Sequence, residues 1–136
     1  MPSPITSTKK ACERRLGTLS PAIPTAYENV AFTPPTGMYL RTQFTVQDPE
    51  DPVFGTGYYR ERMTFQVFVC EELNKGTTGA NTKAEAIRSL FTKGTTLTED
   101  GYRVHVLQTP QIAGSAITTD RLVIPVLIDL VVEVSV

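Results

Sequence analysis

The sequence predicts an α+β fold: a mostly antiparallel sheet of about four to six strands, with two helices packed on one face. Two observations lead there. Several stretches alternate apolar and polar residues as a strand does when one side is buried, and two others carry apolar residues at helical spacing. The alternation is clearest at Gly57–Cys70 (GYYRERMTFQVFVC). Tyr59, Met63, Phe65, Val67 and Val69 share one side with Glu61; Tyr58, Arg60, Arg62, Thr64 and Gln66 share the other with Phe68. A sheet wetted on one face and covered by helices on the other fits that split.

From the N-terminus, Ile5–Leu19 reads as the first helix. Ser3, Thr6 and Ser7 offer capping hydroxyls, and Ile5, Cys12, Leu16 and Leu19 form one stripe, largely clear of Lys9, Lys10, Glu13 and Arg14. Gly17 weakens its last turn and Pro21 stops it. Ser20–Thr25 is a stiff crossing that holds Pro21 and Pro24, and Ala26–Phe32 is a short strand candidate. Pro34, Pro35 and Gly37 then force a turn. Met38–Gln47 repeats the two-faced pattern: Met38, Leu40, Phe44 and Val46 oppose Tyr39, Arg41, Gln43, Thr45 and Gln47. An antiparallel pair with Gly57–Cys70 follows.

The joining loop, Asp48–Gly57 (DPEDPVFGTG), exceeds the roughly two to five residues usual in a hairpin. Phe54 near its tip would be an exposed aromatic unless a partner covers it. Glu71–Gly79 is a polar link. Thr82-Lys83-Ala84-Glu85 has capping-box spacing and opens the second helix, whose stripe is Ala84, Ile87, Leu90 and Phe91, with Gly94 as terminator. Glu99-Asp100-Gly101 is a hairpin turn between Thr95–Thr98 and Tyr102–Gln108. In the second of these strands Tyr102, Val104 and Val106 oppose Arg103 and His105. Pro110–Thr119 reads as a loop.

Leu122–Val136 alternates to the C-terminus, with Leu122, Ile124, Val126, Ile128, Leu130, Val132, Val134 and Val136 on one side. At ~3.3 Å per residue it reaches roughly 50 Å. Pro125, Val123, Leu127 and Val131 on its other side suggest an edge, a bend or burial on both faces. A strand that outruns its own sheet can pair with a neighbouring subunit.

The totals bound the function. The 136 residues suit a single domain, 1–136, and 40% hydrophobic with 20% charged residues is ordinary for a soluble chain. A net charge of −1 gives no general attraction to nucleic acid or to a membrane surface. No apolar run reaches the roughly 18–20 residues that span a bilayer, and MPSPITSTKK lacks the apolar core of a signal peptide. Cys12 and Cys70, the two cysteines, have no metal-ligand spacing. Free, mostly buried thiols are the expectation, with a disulfide between them left open.

No catalytic, cofactor-binding or metal site is expected. His105 is the one histidine, and no nucleophile elbow accompanies it. Asp48, Glu50 and Asp51 lack the spacing of a calcium loop. Gly55-Thr56-Gly57 and Gly76-Thr77-Thr78-Gly79 lack the lysine and context of a phosphate loop. What remains is surface. Tyr39, Arg41, Tyr58, Arg60 and Arg62 lie on polar strand faces with Arg103, and Phe54 lies in the long loop. Tyrosine and arginine dominate interface hot spots, so these residues read as a subunit or partner interface. A solvated face with cross-strand Arg–Glu pairs ranks second, and a single-strand nucleic-acid platform a distant third.

At PTAYENVAFTPPTGMYLR (Pro24–Arg41), GYYRERMTFQVFV (Gly57–Val69) and RLVIPVLIDL (Arg121–Leu130) the chain resembles the tail-terminator proteins of long-tailed bacteriophages, a family of small phage tail proteins. The order of elements matches along almost the whole length. The resemblance implies a non-enzymatic structural protein of the virion, made in the host cytoplasm and placed at the head-proximal end of the tail. It implies a homo-oligomeric ring, expected to be a hexamer, that caps the tail tube, halts polymerisation and faces the head–tail connector or neck protein. Genomic DNA would pass through the lumen without specific binding, and no membrane is involved. A head-completion or neck protein of the same junction is the alternative. On this reading the exposed sheet face forms one ring contact, the C-terminal strand or second helix forms the other, and Asp48–Gly57 touches the tube.

Overall fold

The computed structural model describes residues 3–135. Helix α1 spans Pro4–Leu16. Its N-cap is Ser3, whose side chain accepts the Thr6 N–H at 3.1 Å, and Pro4 occupies a first-turn position where a missing N–H costs nothing. The helix stops short of the expected Leu19, because the chain leaves it at Gly17. Its buried stripe is Ser7, Thr8, Ala11, Cys12 and Leu16, whereas Ile5 is exposed. Two hydroxyls can join that stripe because each has an acceptor. Thr8 donates to the Pro4 carbonyl at 2.7 Å and Ser7 to Asp100 Oδ2 at 2.8 Å.

The expected strand Ala26–Phe32 contracts to β1, Thr25–Ala26, which pairs parallel with β2, Tyr39–Val46. A turn takes over, with Val30 N–H on the Tyr27 carbonyl and Asn29 at φ 57°. Glu28 nevertheless extends the pairing by its side chain, accepting the Phe44 N–H at 2.8 Å. The sheet is therefore mixed, with antiparallel pairs elsewhere.

β3, Tyr58–Glu72, lies between β2 and β8, Arg121–Ser135, antiparallel to both. β4, Thr96–Glu99, and β5, Tyr102–Val106, complete the order β1-β2-β3-β8-β5-β4. Their hairpin turn carries Asp100 at φ 52° and Gly101 at φ 85°, the two positive values that a type I′ turn requires. The segment expected as loop contains two further short strands, β6 (Gln111–Ile112) and β7 (Ala116–Ile117). With β5 they tile the second edge of β8 from Leu122 to Val132. β8 is thus an interior strand over that stretch, while Glu133–Ser135 pair with β3 alone. Short β1, β6 and β7 also raise the strand count to eight among the described residues, above the expected four to six. Val136 lies outside the described residues.

Helix α2 spans Thr78–Leu90, with its N-cap at Thr77, five residues before the Thr82 that the capping-box spacing implied. The Thr82 hydroxyl donates to the Thr78 carbonyl at 2.8 Å inside the helix, so no box forms. Both helices cover one face of the sheet. There Met63, Phe65, Val67 and Val69 of β3 and Ile124, Val126, Ile128 and Leu130 of β8 meet Ala11, Cys12 and Leu16 of α1 and Ala80, Ala84 and Ile87 of α2. Phe65 is the centre, its ring 6.5 Å from Phe44 and 6.0 Å from Phe91. Burying each such side chain contributes about 1.5–3 kcal/mol. Cys12 sits in this core, while Cys70 points to the opposite face beside Tyr39. The sheet separates the two free thiols, which closes the disulfide alternative.

Candidate interaction surface

The face turned away from the helices carries the residues singled out from sequence, and its register divides it into three zones. The middle zone is a hydrogen-bonded polar belt. Gln47 Nε2 donates to Thr64 Oγ1, Thr64 donates to Asp129 Oδ1 at 3.1 Å, and Gln108 Nε2 donates to Asp129 Oδ2 at 2.6 Å. The belt crosses β3 and β8 and ends on the residues that follow β2 and β5.

On one side of the belt the face is apolar. Arg41 lies opposite Phe68, Phe68 opposite Pro125, and Gln66 opposite Leu127. Phe68, Pro125 and Leu127 are half-buried, and the exposed Arg41 guanidinium lies 4.5 Å from the centre of the Phe68 ring. Farther out, Tyr39 packs against Phe32 at 5.4 Å, with Arg121 over its ring at 5.0 Å. Arg121 also donates to the Gly37 carbonyl at 2.5 Å and to the Pro35 carbonyl, which ties the proline turn down. Burial there pushes the Tyr39 phenol and the Cys70 thiol above their usual ranges.

On the other side the face is charged and already paired. Arg60 Nε is 3.6 Å from Glu133 and donates to the Tyr58 hydroxyl at 3.2 Å, while Arg62 Nε is 3.5 Å from Glu50. Glu50 and Arg60 also exchange both backbone hydrogen bonds at 2.8 Å, so the base of the 48–57 loop is zipped. Beyond that bridge Val53 and Phe54 project, Phe54 with its whole side chain in solvent. Gly55 follows at φ 117°, a backbone conformation that favours glycine.

The structure therefore sets Tyr39 and Arg41 at one end of the face and Tyr58, Arg60 and Arg62 at the other. The six residues from Phe68 to Arg62 put them about 20 Å apart. Phe54 lies beyond the charged end. Sequence reasoning did not single out Phe68, Pro125, Leu127 or Asp129 as surface elements. The signals were present as exceptions to the alternation: Phe68 on a polar side, and Leu127 and Pro125 on the side of β8 away from its main apolar row. His105 Nδ1 lies 3.2 Å from Thr96 Oγ1. Among the described residues no three His, Cys, Asp or Glu side chains gather as metal ligands. The cavity at the end of α1, about 260 Å³, is lined mainly by apolar residues such as Leu16, Leu19, Ile23 and Leu40.

A family model described as phage tail terminator protein matches residues 7–129. One solved structure that carries no statement of function resembles this chain with a TM-score of 0.70 at 24% identity, over 93% of this chain and 90% of that one. At that identity the likeness concerns the fold. No curated protein matches the sequence.

Proposed function

The chain belongs to the phage tail terminator family, structural proteins of the virion tail, and from that premise we propose how it ends the tail. Copies of the chain, each acting as one domain over 1–136, assemble into a ring, a hexamer on this reading. The ring sits on the head-proximal end of the tail tube, blocks further addition of tube protein and presents its other side to the connector or neck protein. DNA passes through its lumen without specific contacts.

The observation that supports this reading most is the bare outer sheet face. Both helices lie on the other side, so a strip from Tyr58 to Leu127 stays open to a partner. Its contents differ from end to end, apolar with an arginine stacked on Phe68 at one and ion-paired at the other. A closed ring needs such an asymmetric contact, one patch meeting a different patch on the next copy. Tyr39, Arg41, Tyr58, Arg60, Arg62 and Phe54 are the residues proposed for subunit or partner contact. The nucleic-acid platform loses support, because Arg60 and Arg62 already face carboxylates and Arg41 is stacked on Phe68.

The test is the solution mass of the purified chain over a concentration series, with electron microscopy of the same samples. A discrete hexamer and ring particles are expected. A monomer at every concentration that also ignores tube ends would end the proposal. Rings that bind the connector but not the tube would favour a neck protein instead.

A further inference from the structure

We infer that Phe54 of one copy docks on the outer sheet face of the next, against Phe68, Pro125 and Leu127 and beside Arg41. The inference rests on the ring reading and names the contact that joins its subunits.

Two apolar features among the described residues bear on that contact. Phe54 is fully exposed at the tip of a loop whose base is fixed by the Glu50–Arg60 bridge. Phe68, Pro125 and Leu127 form a half-buried apolar strip on a face that no helix covers. They cannot meet within one molecule. Phe54 lies four residues before β3, a reach of about 14 Å, while Phe68 lies ten residues along that strand, about 33 Å away. The contact must be made between copies, and it joins unlike patches, as ring closure requires.

Charge selects the same pairing. The loop carries Asp48 and Asp51, neither ion-paired among the described residues, and has no basic residue. The strip carries Arg41, which stacks on Phe68 and faces no carboxylate among the described residues. Docking brings the acidic loop to the unpaired arginine and lets a second aromatic ring join the first. A phenyl group buries roughly 150 Å² or more, against the ~800 Å² per partner of a stable interface. Phe54 is thus the anchor of a larger contact.

The experiment places a photo-crosslinking amino acid at position 54 of the full chain and maps its products by mass spectrometry, with and without tail tubes. Crosslinks to the neighbour's segments 66–68 and 123–127 are expected. Phe54→Ala should weaken self-association by about 30-fold or more, the scale of an aromatic hot spot. Arg41→Asp and Asp51→Arg should each weaken it by about five- to tenfold, and together restore it. Unchanged melting temperatures would show that the variants fold. Rings that persist with Phe54→Ala, or crosslinks only to tube protein, overturn this inference and leave the ring reading intact. A wild-type chain that never assembles overturns both.

Discussion

Thr64 on β3 donates its hydroxyl to Asp129 on β8 at 3.1 Å, and that bond lies between the apolar and the charged ends of the outer sheet face. Asp129 also accepts from Gln108 at 2.6 Å, so one carboxylate organises the polar belt. Asp129→Ala strands two donors on a half-buried face and should cost about 1–2 kcal/mol, read from urea unfolding. Asp129→Asn keeps one acceptor oxygen and should cost less. An unchanged midpoint in the alanine variant would show that water replaces the belt.

Arg60→Glu together with Arg62→Glu should remove assembly while leaving the monomer folded. The ion pairs to Glu133 and Glu50 are 39–53% exposed, so their loss should cost at most about 1 kcal/mol. Sedimentation at several concentrations measures the assembly. An intact ring would remove this end of the face from the subunit contact.

The two faces of β3 should respond differently to truncation. Phe65 is fully buried between Phe44 and Phe91, and Phe65→Ala should cost about 3–5 kcal/mol. Phe68→Ala, on the half-buried outer side, should cost about 1–2 kcal/mol. Comparable losses would mean that the outer face is a second core.

Asp100 accepts from the Ser7 hydroxyl at 2.8 Å and faces Lys10 at 3.2 Å. The Ser7 bond, then the Lys10 bond, lowers its pKa below the ordinary 3.8. A depressed carboxyl contributes stability above its unfolded pKa and loses it as pH falls through the folded value. Asp100→Asn, which tolerates the positive φ, should therefore melt lower than wild type at neutral pH. The gap should close as pH drops below about 3.8. A gap that persists in acid would mean that the charge is not its source.

Burial pushes the Cys12 thiol far above its usual range, with Glu13 adding to the effect, and burial also raises Cys70. Neither should react with a thiol reagent at pH 8 in the folded chain, and both should react in denaturant. Early labelling of Cys70 alone would show that the Phe32–Tyr39–Arg121 cover opens.

The strongly periodic parts of this fold were legible because one repeat carried them. Met63, Phe65, Val67 and Val69 fixed both β3 and its buried side, and Asp100-Gly101 fixed the turn between β4 and β5. What escaped depends on partners distant in sequence. Ser7 and Thr8 entered the core because Asp100 and Pro4 satisfy their hydroxyls. β6 and β7 are two-residue strands that exist only because β8 offers them an edge. α2 starts at Thr78, and Thr82 bonds back to the Thr78 carbonyl within the helix instead of capping it. In the candidate surface, sequence reading placed Arg41, Arg60 and Arg62 together on one sheet face, the one the helices leave uncovered. It could not see that Glu133 and Glu50 neutralise two of them, or that Asp129 divides the face.

The most direct measurement follows tail-tube elongation in the presence of the purified chain, with tube ends viewed by electron microscopy. Capping requires that elongation stop at substoichiometric amounts of the chain, with a ring of added density at one end of each tube. Tubes that lengthen at an unchanged rate with bare ends, at concentrations where the chain is folded, would contradict the assignment of this protein as the tail's terminator.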